Sequence, residues 1–246
     1  MLKRLPDRDI DHTLRAILEQ ARNATDALEI PFFVGGAMAR DIILTHVFGQ
    51  EVKRATRDVD LGLYLDGWDR FQQLKDVLVE KGLFHTVPGK PHRLHYGSPT
   101  GIPLDLIPFG GIEHPVGEIA WPPGNDVVLN VAGFEDAYRS ALVVDLGGGL
   151  VIRTCALPAL AVLKLIAWHD RRKFSNKDAT DLLFIAQNYA AADNMDRLYQ
   201  SESELMEAVD YNPELAGAYL LGKDAALQSG NDTAAFAKAI LEKKLL

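Results

Sequence analysis

The chain has 246 residues, 48% of them apolar and 24% charged, enough for one large core or two modest ones and the balance of an ordinary globular protein. A formal net charge of −8 excludes nucleic-acid binding through overall charge and leaves that task to a local basic patch. The one cysteine, Cys155, excludes an intrachain disulfide and argues against a cysteine-based zinc site. The first residues, MLKRLPDRDIDHTLRAI, are too charged for a secretory leader, and the longest apolar run, CALPALAVLKLIAW, is interrupted by Pro158 and Lys164. The expectation is a cytoplasmic protein with no membrane association.

Apolar residues at helical spacing (Leu14, Ile17, Leu18, Ala21) predict an opening helix within residues 10–30. PFFV (31–34) reads as a short strand that Gly35 and Gly36 end, and residues 37–48 can continue as a helix. Residues 49–57 are polar and loop-like. DVDLGLYL (58–65) alternates acid and apolar residues and reads as a strand. An amphipathic helix over 67–82 follows, with Gly82 as its stop. LFHTV, HRLHYG and IPLDLIPF (102–109) read as strands, residues 110–126 as irregular, and VVLNV and GLVIRT as further strands with Gly147–Gly149 as a turn.

From Leu157 the pattern becomes helical. LPALAVLKLIAWHDRRKF has a proline near its first turn. SNKDATDLLFIAQNYAAA offers Ser175 as an N-cap with Asp178 three residues later, close to a capping box. Asn212–Pro213 marks another helix start, and residues 231–246 close the chain as a helix. The expected fold class is α/β (α+β): a small mixed sheet flanked by helices, then a helical C-terminal part. The change of pattern places a boundary near 155, giving a catalytic domain over 1–155 and a helical domain over 156–246, with a cleft between them.

Asp58 and Asp60 carry the first chemical signal. On a strand, residues two apart face one side, about 6.5–7 Å from each other. Carboxylates aimed together repel unless a cation lies between them, and Mg²⁺ prefers such oxygen ligands. An Asp-x-Asp in a solvated loop would carry no such meaning. Asp105 adds a third carboxylate inside an apolar strand, where it needs a partner or a metal unless it faces solvent at a sheet edge. Gly35-Gly36, between strand and helix, is either a tight turn or a place where backbone approaches a phosphate. No Gly-Lys-Ser/Thr follows, so it is not a P-loop, and no third glycine completes a dinucleotide fingerprint.

Lys164 interrupts the apolar face LAVLKLIAW and calls for a partner, an opening to water, or a snorkelling path to the surface. Arg171, Arg172 and Lys173 suit either the end of a helix or contact with phosphate. Lys177, Asp178 and Asp181 begin the next helix. His85, His92 and His95 match no standard zinc spacing, and with Lys90 and Arg93 they read as a mildly basic hairpin facing an acceptor.

Taken together, GGAMARDIIL…TRDVDLGLYL resembles the signature of the polymerase-beta-type nucleotidyltransferase superfamily: Gly-Gly or Gly-Ser, a helix, Asp-x-Asp, and a third carboxylate on a later strand. Its GGxxxRD is similar to the tRNA CCA-adding enzymes. LKLIAWHDRRKFSNKDATDLL is closer to the AbiEii-type nucleotidyltransferase toxins, and the resemblance spans residues 30–190. The resemblance implies that Asp58 and Asp60 ligate Mg²⁺, as one ion or two. It implies that Asp105 binds metal and helps to activate an attacking hydroxyl. It gives Gly35, Gly36, Arg40, Lys164, Arg171, Lys177 and Asp178 to the nucleotide.

The implied reaction is transfer of NMP from an NTP to an acceptor hydroxyl of tRNA or protein, toxin-like and with an antitoxin partner. Two departures stand out. Gly36 occupies the position of a frequent serine, which removes a hydroxyl contact to phosphate. The stretch from Gly36 to Asp58 is long, with HVFGQEVKRA as an extra loop near the site. Two alternatives remain. One is a small-molecule adenylyltransferase of the aminoglycoside-modifying kind, whose cationic acceptor suits the negative net charge. The other is a degenerate nucleotide-binding module, against which the three intact aspartates argue.

Overall fold

The computed structural model describes residues 1–51 and 56–242. Part of the expected 49–57 loop, including the end of HVFGQEVKRA, and the last residues of the expected final helix lie outside them. In chain order the elements are β1 (Leu2–Lys3), α1 (His12–Ala27), β2 (Phe32–Val34), α2 (Gly36–Asp41), β3 (Val59–Tyr64), α3 (Trp68–Glu80), β4 (Phe84–Thr86), β5 (Arg93–Tyr96) and β6 (Ile102–Phe109). These are followed by β7 (Glu118–Ala120), β8 (Val128–Asn130), α4 (Phe134–Arg139), β9 (Leu142–Asp145) and β10 (Val151–Thr154). The chain then turns helical: α5 (Leu157–Arg171), α6 (Lys177–Asn188), α7 (Met195–Tyr199), α8 (Ser203–Glu207), α9 (Pro213–Gln228) and α10 (Asn231–Leu241). Helix α2 runs on without a break into a wider, π-helical stretch over Ile42–Val47.

Eight strands form one mixed sheet in the order β1-β9-β10-β2-β3-β6-β5-β4, and β7 and β8 make a separate pair. The longest strand, β6, lies inside the sheet, parallel to β3 and antiparallel to β5. Both of its faces are covered, which is why IPLDLIPF reads as a nearly continuous apolar run. Strand β3 also pairs antiparallel with β2. At that pairing Phe33 lies opposite Gly62, and a Cβ on Gly62 would come within 2.3 Å of the Phe33 ring. The glycine in DVDLGLYL is therefore the space that Phe33 fills. Phe33 in turn packs edge-on against Phe109, with ring centroids 5.7 Å apart.

Local signals set the helix starts. The Asp11 carboxylate accepts from the amides of Thr13 (2.8 Å) and Leu14 (3.1 Å), so α1 begins there and turns Leu14, Ile17, Leu18 and Ala21 inward. The Asn212 side chain caps α9 in the same way, with Pro213 next in line. At α6 the expected cap is replaced. Asn176 takes the N-cap position, and the Ser175 hydroxyl accepts only the Lys177 amide, at 3.3 Å. Asp178 is not a capping acid, because it is drawn inward by two cations described below. Several elements exceed the sequence reading: β1, β7, β9, α4, α7 and α8 are each six residues or fewer. Such pieces are too short for a hydrophobic period to show.

One buried apolar cluster runs from the sheet (Phe33, Leu61, Leu106) into the helices after Leu157, including Leu160, Ile185, Leu198 and Leu220. Cys155 is part of it, and burial pushes its thiol pKa up. No helix of the described residues is long and apolar enough to cross a membrane.

Within the C-terminal helices, the buried Asp224 on α9 receives the Tyr189 hydroxyl (2.5 Å) and a two-pronged contact from Arg197 (2.8 and 2.9 Å). Burial opposes the charge on Asp224, but these bonds outweigh it and hold the carboxyl below the usual range. A depressed folded pKa means that the stabilisation is fully present above the unfolded carboxyl value near 4. It is lost as pH falls through the folded value. Urea unfolding should show the wild type weakening as pH falls below about 4, with a shallower slope in Asp224→Asn. At neutral pH the variant should be less stable by roughly 1–3 kcal/mol, since Arg197 is partly exposed. Equal slopes would show that the carboxylate carries no such load.

Candidate active site

The site starts from the register of three strands. In the β3/β6 pair Asp60 lies directly opposite Asp105, and in the β5/β6 pair Arg93 lies opposite Asp105. Directly paired residues share a face, so Arg93, Asp105 and Asp60 form one row across the sheet. Asp58 precedes β3 by one residue, and its charge bears on Asp60. The Asp105 carboxylate is fully engaged by the guanidinium: Nε to Oδ1 is 2.6 Å and Nη2 to Oδ2 is 2.5 Å. Asp105 is thus an interior strand acid with a cationic partner, and the sheet-edge alternative is ruled out.

The glycine turn meets this row. Strand β2 ends at Val34, and the Gly35 amide donates to the Asp60 carbonyl at 2.8 Å. Gly36 follows with φ of +60°, a left-handed conformation. A Cβ at this position would lie 1.8 Å from Asp60 Oδ2. A side chain at this position would therefore have to displace the Asp60 carboxylate, which occupies the space.

Asp58 and Asp60 form no hydrogen bond or ion pair through their carboxylates among the described residues. Part of the Asp60 side chain reaches solvent, yet dense surroundings push its pKa up to about 7. Burial is the largest cause, then the charges of Asp105 and Asp58, with Lys164 and Arg171 working in the opposite direction. A carboxyl in this condition keeps its proton to near neutrality unless a cation arrives to stabilise the charge. That is the fit expected for a hard divalent cation with oxygen ligands. With Asp105 held by Arg93, no three potential ligands already converge on one point among the described residues.

Facing the acids is a second set of charges on the helices. Lys164, buried on α5, donates to Asp181 Oδ2 (2.6 Å) and Asp178 Oδ1 (3.3 Å). Arg171 donates to the other Asp178 oxygen at 2.8 Å. Arg40, also buried, forks onto Asp41 Oδ1 (2.8 and 2.6 Å), reaches Asp181, and lies over the Phe184 ring at 5.6 Å. Asp41 Oδ2 accepts from Thr56, just before the Asp-x-Asp. The snorkelling path for Lys164 is excluded by these partners. Lys177 lies exposed at the start of α6, and its side chain makes no contact of this kind among the described residues.

The hairpin reading of His85–His95 fits β4 and β5, where those two histidines pair across the strands. Its Arg93 turns to Asp105. Arg93 and Thr56 were not singled out as site residues by the sequence, because each acts through a partner remote in the chain, and Asp41, though next to Arg40, gains its second partner only from Thr56. Asp181 had a local signal, since it follows Asp178 by three residues and so shares a helix face.

Acid row, glycine turn and nearby cations make up the kind of charge arrangement that suits a phosphate ester. The family model described as "Nucleotidyl transferase AbiEii toxin, Type IV TA system" matches residues 17–242. The chain belongs to this family and is a nucleotidyltransferase, an enzyme that transfers NMP. No curated protein matches the sequence. Among solved structures, the antibiotic-resistance factor ANT(2'')-Ia has 15% identity and a TM-score of 0.46, covering 82% of this chain and 99% of that one. An antigenic nucleotidyltransferase-like protein from Paracoccidioides brasiliensis has 14% identity and a TM-score of 0.46, over 80% and 91%. A Thermotoga maritima CCA-adding enzyme complexed with tRNA has 10% identity and a TM-score of 0.30, over 96% and 71%.

Gly36→Ala tests the crowding at the turn. The left-handed backbone alone costs an L-residue about 1–2 kcal/mol. Displacement of the Asp60 carboxylate should lower nucleotidyl transfer by roughly 100-fold in protein that still folds by circular dichroism. Gly35→Ala, where an added Cβ meets its nearest neighbour at 3.5 Å, should be far milder. Comparable rates for the two variants would refute the steric account.

Proposed function

We propose that this nucleotidyltransferase is Mg²⁺-dependent and modifies a hydroxyl of tRNA or another macromolecule in a toxin-like role, with Asp58, Asp60 and Asp105 at its chemical centre. The observation that carries the reading is the placement of Asp60. Its carboxylate has no donor among the described residues, lies against the Gly35-Gly36 turn, shares a row with Asp105, and feels the charges of Lys164 and Arg171. Asp58 and Asp60 would hold Mg²⁺, which when bound neutralises charge on the triphosphate. Asp105 would join them on release from Arg93.

The chain's own groups then divide the work. Gly36, by having no side chain, leaves the Asp60 carboxylate the position it occupies beside the turn. Lys164 and Arg171 supply positive charge for the phosphates, and Arg40, through Asp181, fixes where Lys164 stands. The acceptor hydroxyl attacks the α-phosphorus, its proton passes to a carboxylate of the row (Asp105 once freed), and the bond to pyrophosphate breaks. Arg171, Arg172, Lys173 and Lys177 lie close together in sequence around the start of α6 and suit an acceptor with a phosphate backbone, in spite of the negative net charge.

Purified protein with Mg²⁺ and each α-labelled NTP in turn should label a species in total RNA. Asp60→Asn should lower the label by at least about 1,000-fold, and EDTA should abolish it. Label that appears on an aminoglycoside and on no RNA would reassign the acceptor to a small cationic molecule. Label that survives in Asp60→Asn would place the chemistry elsewhere.

A further inference from the structure

The Arg93 guanidinium occupies both oxygens of Asp105, at 2.6 and 2.5 Å, from the strand on the far side of Asp60. Its charge also bears on Asp60 and Asp58. Arg93 therefore supplies positive charge to the acid row from within the sheet, where the reading above calls for Mg²⁺. A two-pronged arginine contact uses the lone pairs that face it, and a carboxylate so held offers little to a metal. The pair is also accessible to change, since about a quarter of the Arg93 side chain is exposed while that of Asp105 is 11% exposed.

We propose that Arg93 is a built-in competitor for the metal at Asp105: it compensates the acid row when no ion is bound and withdraws when Asp105 is recruited as a ligand. This inference rests on the Mg²⁺-dependent reading of the same acids. Arg93 is a positioning residue in this scheme, acting on metal and substrate only through Asp105. One consequence separates it from an ordinary strand-to-strand ion pair, and a second accompanies it. Removing the guanidinium should make metal binding tighter, because the ion no longer competes with an internal cation. It should also make the metal-free protein less stable, because Asp60 and Asp105 then face each other uncompensated.

The test titrates Mn²⁺ into the full chain and follows free Mn²⁺ by electron paramagnetic resonance. If the freed form of Asp105 is populated about one part in ten, Arg93→Met should bind Mn²⁺ roughly tenfold more tightly than wild type. Thermal unfolding of the variant should be lowered in EDTA and recover on adding Mn²⁺. Should Arg93→Met fail to fold, Arg93→Lys serves, since a single ammonium holds the carboxylate less firmly, and it should show the same direction to a smaller extent. Unchanged or weaker Mn²⁺ binding in a folded variant overturns the competitor role. Asp60→Asn serves as the control for the underlying reading. If wild type binds Mn²⁺ and Asp60→Asn does not, an unaltered affinity in Arg93→Met rejects the competitor alone. If wild type binds no Mn²⁺, or Asp60→Asn binds it equally well, the metal reading fails and the competitor fails with it.

Discussion

Two carboxylates held side by side on adjacent parallel strands are the constraint around which this protein is arranged. Asp60 and Asp105 are fixed by backbone register, so neither can retreat from the other without unpairing the centre of the sheet. The surrounding structure compensates in three directions. From β5, Arg93 neutralises Asp105. From the helices, Lys164 and Arg171 bring positive charge toward Asp60. From the turn after β2, Gly36 contributes by having no side chain, which leaves the Asp60 carboxylate the space it occupies. Sheet register thus generates an electrostatic cost, and the site is the set of groups that offset it.

The helical charges form a lattice of their own. Lys164 and Arg40 are buried cations, and each is shared between two acids: Asp178 and Asp181 for Lys164, Asp41 and Asp181 for Arg40. Asp181 is the common member, and it links the helix after the glycine turn to the two helices that follow the sheet. Buried ion pairs of this kind contribute little net stability compared with apolar packing, but breaking one leaves an uncompensated charge inside the protein. The lattice is better suited to fixing relative position than to holding the fold together. It sets where α2, α5 and α6 stand with respect to the acid row.

Much of this was legible in the sequence because it is local. The cap at Asp11, the Asn212-Pro213 start, the glycine stop after α3 and the strand character of DVDLGLYL all depend on neighbours a few residues away. The adjacency of the 58–65 and 102–109 strands stayed open, since the lone acid in IPLDLIPF could equally have faced solvent at a sheet edge, and strand register decides it. What could not be read was identity of partner. Asp178 looked like a capping acid because Ser175 precedes it at the right distance, and only the packing of α5 against α6 shows that Lys164 and Arg171 claim it. Arg93 looked like a member of a basic surface hairpin, and only strand register reveals that it faces Asp105. Gly36 read as the loss of a hydroxyl. Its meaning depends on an atom of Asp60, which is remote in the chain.

Thr56 gives the long connection between the glycine turn and the Asp-x-Asp a different significance. Its amide and hydroxyl are tied to Asp41 at one end of that connection, while the Gln50 amide is tied to the Leu44 carbonyl at the other. Both ends of the segment are thereby anchored to the helix that follows the glycines, and the position of Asp58 is set by the anchor and not by the length of chain that leads to it. The entropy of closing a loop grows only with the logarithm of its length. The tie from Thr56 to Asp41, two residues before Asp58, therefore locates the acid pair against the helix after the glycines whatever length of chain precedes it.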